Sequence, residues 1–68
     1  MSELIFVVTE SFDGGYEAKA VGCSIYTQCD NYEELPGILR DAVKCHFNEA
    51  EMPSLIRIYM VKDEVIAV

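Results

Sequence analysis

Twelve carboxylates, three cysteines and a single histidine are the groups in this 68-residue chain able to carry chemistry beyond packing. Carboxylates cleave phosphodiesters when several converge from central strand positions on two divalent ions. These do not converge. Glu3 and Glu10 bound the first apolar run, Asp13 falls in a turn, Glu17 stands alone and Asp41 lies on the polar side of a helix. They read as a solvated acidic surface, and no catalytic residue is assigned. Structural zinc takes closely paired ligands, and the spacing of Cys23, Cys29, Cys45 and His46 does not match; adjacent Cys45 and His46 would point ~100° apart on a helix. No metal or other cofactor is expected, and the thiols read as small buried apolar residues. His46 falls on an apolar helix stripe and is expected to be a hydrogen-bonded core residue, since a nucleophile–base pair would also need a positioned Ser or Cys. Asp13-Gly14-Gly15 precedes a strand, so it is not a phosphate loop.

The elements that position these groups follow from periodicity. Leu4 to Glu10 is β-branched and aromatic, and from Tyr16 to Val21 small apolar residues alternate with Glu17 and Lys19. Asp13-Gly14-Gly15 between them reads as a hairpin loop. After a bend at Gly22, Ser24 to Cys29 predicts a third strand with Ile25, Thr27 and Cys29 on one face. Asn31 and Glu34 have the spacing of a capping box, opening a helix that runs to about Asn48. Leu35, Ile38, Leu39, Ala42, Val43, His46 and Phe47 share its apolar side. Pro36 sits awkwardly in that helix, so the start is kinked or slips to a cap nearer the proline. Past Pro53, Leu55 to Val61 is a strand in which Ile56, Ile58 and Met60 alternate with Arg57, Tyr59 and Val61. Asp63-Glu64 is a candidate turn, after which Val65 to Val68 would extend the sheet or lie across a neighbouring subunit.

The expected fold is therefore a single α+β domain spanning residues 1–68, a βββαβ antiparallel sheet with one helix on one face. One helix covers one face only, yet Ile5, Val7, Tyr59 and Val61 make the other face apolar, which points to self-association. Size supports this: a chain this short buries only ~60% of its unfolded surface, and partner surface is the usual stabiliser. The formal net charge of −7 repels phosphate backbones, so direct nucleic-acid binding is not expected, whereas a basic protein would be drawn in. Met1-Ser2-Glu3 provides no basic leader region, and the apolar run from Leu4 to Val8 is too short for a signal or a membrane span. An odd number of cysteines fits a reducing compartment, and a cytoplasmic location is expected.

Leu4-Ile5-Phe6-Val7-Val8, Gly14-Gly15-Tyr16-Glu17-Ala18, Gly22-Cys23, Asp30-Asn31-Tyr32-Glu33-Glu34-Leu35 and Asp41-Ala42-Val43 follow one another in an order that resembles the HicB-like antitoxin family. The likeness covers nearly the whole chain. It implies a partial ribonuclease H-like βββαβ unit without the catalytic carboxylates, which oligomerises through its sheet. It further implies a non-enzymatic role, binding and blocking a small basic HicA-type toxin that cleaves RNA. Full-length antitoxins carry a further C-terminal DNA-binding segment, so repression of an operon by a chain ending at Val68 is not expected. Asp13, Glu17, Glu33 and Glu34 are the candidate steering charges towards such a partner, and Tyr16 and Tyr26 the candidate anchors. The alternative is a stand-alone homo-oligomer that binds another protein or a small ligand.

Overall fold

The computed structural model describes residues 3–62 and 64–68. Met1 and Ser2, read above as lacking a basic leader, and Asp63 of the candidate turn lie outside the described residues. Four strands and one helix follow in the order β1 (Glu3–Glu10), β2 (Tyr16–Ala20), β3 (Tyr26–Cys29), α1 (Leu35–His46) and β4 (Leu55–Val61). They form a four-stranded sheet in the spatial order β3-β2-β1-β4 with the helix packed on one side.

β1 and β2 form the expected hairpin, pairing Phe6 with Ala20 through Glu10 with Tyr16. Its loop is one residue earlier than expected: Gly14 N–H donates to Ser11 O and Ser11 N–H to Gly15 O, leaving Phe12, Asp13 and Gly14 as the turn. Gly14 adopts φ +91°, which a side chain disfavours. β3 pairs antiparallel with β2, Tyr16 opposite Cys29 and Lys19 opposite Tyr26. It is shorter than the expected strand, although Ile25 O still accepts from Ala20 N–H.

The sheet is mixed, which corrects the antiparallel expectation: β4 runs parallel to β1, with Leu4 beside Ile56 and Val8 beside Met60. Two hairpin reversals make β3 parallel to β1, and a helical crossover returns the chain to its starting end. β4 must then run as β3 and β1 do. Val65 to Val68 add no strand; they project into solvent beyond β4.

Asn31 has extended backbone and opens a 3-10 turn at Tyr32–Glu34, and the α-helix begins only at Leu35. Pro36 thus lies in the first turn, where its missing N–H costs nothing. Instead of capping the helix reciprocally, Asn31 Nδ2 donates to Glu34 Oε1 at 3.2 Å. Leu35, Leu39 and Val43 form the buried stripe and meet Leu4, Phe6, Val8, Ala18 and Ile25 from the sheet side. That stripe advances by i, i+4 steps, so its next position is Phe47, which is half-buried against the core. His46 lies off the line and is exposed, its ring edge-on to Phe47 at 4.9 Å between centroids. The expected core role of His46 is therefore incorrect. The thiols divide as well: Cys23 and Cys29 pack half-buried on the core, whereas Cys45 is exposed on the outer side of the helix.

A candidate protein-binding cleft

The hairpin turn, the end of β3 and the helix entry meet at one end of the sheet. Register brings them there, because Tyr16 begins β2 opposite Cys29 at the end of β3. Gly15 permits the close approach: a Cβ there would lie 2.9 Å from Cys29 O and 3.3 Å from Ser11 Oγ. Between these elements lies a cleft of about 390 Å³ walled by Asp13, Tyr16, Gln28, Asp30 and Glu34, with Ile38 from the helix also lining it.

Its electrostatics are negative and fixed. Ser11 Oγ donates to Asp13 Oδ1 at 2.8 Å. That bond, followed by backbone N–H groups of Gly15 and of Asp13 itself, holds the Asp13 carboxyl below its ordinary range. Cys29 Sγ donates to Asn31 O at 3.3 Å. Burial first, then the charges of Glu34 and Asp30, push the Cys29 thiol up, so it stays protonated at neutral pH. Tyr16 packs edge-on to Tyr32, centroids 5.7 Å apart, giving the cleft a stiff aromatic shoulder. Phe12, at the tip of the turn, is 113% exposed and touches nothing that would hide it.

Of the six residues expected to bind a partner, Asp13, Tyr16 and Glu34 come together here, and Glu33 stands exposed on the adjacent 3-10 turn. Glu17 and Tyr26 do not. They lie on the sheet face away from the helix, where Tyr26 Oη donates a short hydrogen bond to Glu17 and accepts one from Gln28 Nε2 at 2.8 Å. The Glu17 bond is the main cause of the raised phenol pKa of Tyr26. Asp30 in the cleft wall and Phe12, exposed on the turn between the cleft residues Ser11 and Asp13, are the residues that sequence reasoning missed. An aromatic at the tip of a tight turn is a readable signal, because turn positions have no sheet face to bury them.

The opposite sheet face carries the four residues expected for self-association. Ile5 and Val7 on β1 are half-buried, and Tyr59 and Val61 on β4 are exposed, Tyr59 to 61%. Val7 lies beside Tyr59, and Thr9 beside Val61. This face is apolar along β1 and β4 but polar along β2 and β3, and a bidentate pair, Arg57 Nε to Glu3 Oε1 at 2.9 Å and Arg57 Nη2 to Glu3 Oε2 at 3.0 Å, crosses its lower end.

Among the described residues no three His, Cys, Asp or Glu side chains are grouped to hold a metal ion, and no helix is long and apolar enough to cross a membrane. The class is thus a small mixed-sheet α+β domain with an acidic, aromatic-edged cleft at one end of its sheet. Two relatives place it in a family. The chain is 48% identical over 66 residues to a UPF0150 protein of Thermotoga maritima, covering 97% of this chain and 93% of that one. It is 52% identical over 52 residues to a UPF0150 protein of Archaeoglobus fulgidus, covering 76% and 77%. The chain belongs to the UPF0150 family. No family model and no solved structure matches it.

Proposed function

We propose that this protein is a non-catalytic, HicB-like binding module whose cleft receives a small basic protein, of the kind that an RNA-cleaving HicA-type toxin would be. The observation that carries the reading is the cleft itself. Asp13, Asp30 and Glu34 put three carboxylates around one concavity, and Phe12 stands uncovered beside them. Acidic rims steer a basic partner into register, and desolvated aromatics supply the tight contact. A partner with a Lys or Arg cluster around an apolar socket would satisfy both.

The test is co-purification from the native host followed by stopped-flow binding. A small basic partner is expected, with association slowing as salt rises and dissociation changing little. Charge reversal at Asp13 with Glu34 should lower the on-rate, and Phe12→Ala should raise the off-rate. Recovery of the chain alone, or of a partner as acidic as itself, would end this reading.

The uncovered Tyr59, beside Val7, and Val61, beside Thr9, favour a second reading, a homo-oligomer joined through the open sheet face. Val7→Asp should then dissociate the assembly in a sedimentation experiment at micromolar concentration.

A further inference from the structure

The helix approaches the sheet most closely at β3, at the far edge from β4. The helix side of β4 is consequently left open, and a groove of about 350 Å³ runs between α1 and β4. Leu39, Val43, Met52 and Ile56 line it, and Arg40 and Lys44 stand on its rim. These are two of only five basic residues in a chain of net charge −7. Spaced i, i+4, they point the same way from the helix. Among the described residues neither has an ion-pair partner, since the ion pairs are Arg57 with Glu3 and Lys62 with Glu64. An apolar groove with a basic rim fits an apolar segment that carries a carboxylate.

The chain holds such a segment. Val65, Ile66 and Val68 are 94%, 81% and 128% exposed, and the Glu64 carboxylate that precedes them is 3.9 Å from Lys62 Nζ, a loose and solvated contact. It cannot fill the groove of its own molecule. A tight return after β4 would bring Val68 back only level with Tyr59, short of the Leu55–Ile58 half of the strand that lines the groove. Length fits a second copy: four extended residues span ~13 Å, and the groove follows α1 from Pro36 to Lys44, about 12 Å of helix. β4 is an edge strand, so its outer backbone groups are free to pair with an incoming segment.

We propose that residues Glu64 to Val68 of one copy dock into the α1–β4 groove of a second copy, Glu64 meeting Arg40 and Lys44. This contact uses the flank of α1 opposite the acidic cleft, and it is separate from the open-face contact of Val7. It deepens the self-association reading, on which it rests, by naming a segment and its seat.

Sedimentation equilibrium of the full-length chain tests it. Ile66→Asp and the double variant Arg40→Glu with Lys44→Glu are each expected to raise the dissociation constant about tenfold or more. All three positions are exposed, so circular dichroism should be unchanged. Adding Glu64→Lys to the double variant should restore most of the association, which a merely structural effect would not. A wild-type chain that remains monomeric overturns the proposal. So does an assembly broken by Val7→Asp but indifferent to the tail and groove variants, or a charge swap that restores nothing. In the Val7→Asp case the open-face reading survives and the groove reading alone fails.

Discussion

Two glycine-to-alanine substitutions should move stability in opposite directions, and the difference follows from what each new methyl meets. At Gly15 a Cβ would sit 2.9 Å from Cys29 O, a backbone atom held in the β2–β3 ladder. Reaching ordinary contact requires roughly 0.5 Å of retreat, which β3 cannot make without disturbing its pairing with Tyr16. Overpacking of this kind costs about 1–3 kcal/mol, offset by about 0.4–1 kcal/mol from the stiffer unfolded chain. A net loss on the order of 1 kcal/mol remains. At Gly37, in the first turns of α1, nothing lies within 4 Å of the added methyl. Helix propensity alone then acts, and Gly37→Ala should gain about 0.5–1 kcal/mol. For a domain of this size each kcal/mol moves Tm by about 4–8 °C, so the two variants should melt on the order of 10 °C apart. Thermal and urea melts by circular dichroism would measure this. Amide shifts in Gly15→Ala should concentrate on Gln28 to Asn31, the wall of the acidic cleft. Equal Tm values, or a Gly15 variant as stable as wild type, would refute the claim that Gly15 exists to let β3 close on the turn.

Leu39→Ala removes a fully buried side chain at the centre of the stripe and should cost about 2–5 kcal/mol, near the whole reserve of a core this small, so the variant should be largely unfolded at 37 °C by circular dichroism. Thiol labelling at pH 8 should modify Cys45 first, because it is exposed, and Cys29 last; Glu34→Gln should speed Cys29 by removing one of the charges that raise its pKa, as mass spectrometry of the alkylated chain can resolve. The Arg57 hydrogen bond lowers the pKa of Glu3 in the folded chain, so its contribution is present above the ordinary glutamate range and disappears as pH falls through the lowered value. Arg57→Gln should therefore lower the neutral plateau of a stability–pH curve slightly, since the pair is exposed, flatten the acid limb by the same amount and leave stability below the lowered pKa unchanged.

Elements whose signal is local were legible in the sequence. The apolar run Leu4 to Val8 and the alternation in Leu55 to Val61 gave both strands, although β4 buries no residue and Met60 is exposed, and the i, i+4 run of Leu35, Leu39 and Val43 gave the helix core. What depends on long-range pairing was not. Nothing in residues 55–61 says which strand they join, and their parallel placement beside β1 is a consequence of topology. The site was half legible for the same reason. Tyr16 and Glu17 are consecutive in one strand and must point to opposite faces, so strand geometry alone separates Glu17 from the cleft. Asp30 was hidden, because its place beside Asp13 requires the β2–β3 register and the closeness that Gly15 allows.

The distribution of charge ties these surfaces together. Arg40 and Lys44 lie along one flank of α1, while Glu34 and Ile38, on its other flank, border the acidic cleft. A helix with its cations on one side and an acidic concavity on the other gives the molecule two surfaces of opposite charge, although its net charge is strongly negative. If both proposed contacts form, a basic partner docks at the hairpin end and an acidic apolar segment at the β4 edge. Because the flanks are opposite, occupancy of one does not block the other. The core consists of eight buried residues, all apolar, with no buried polar side chain among the described residues. Such a core specifies the sheet–helix packing but leaves little stability in reserve. Binding at either flank would therefore add to the stability of the fold by mass action, linking how much of the chain is folded to how much of it is engaged.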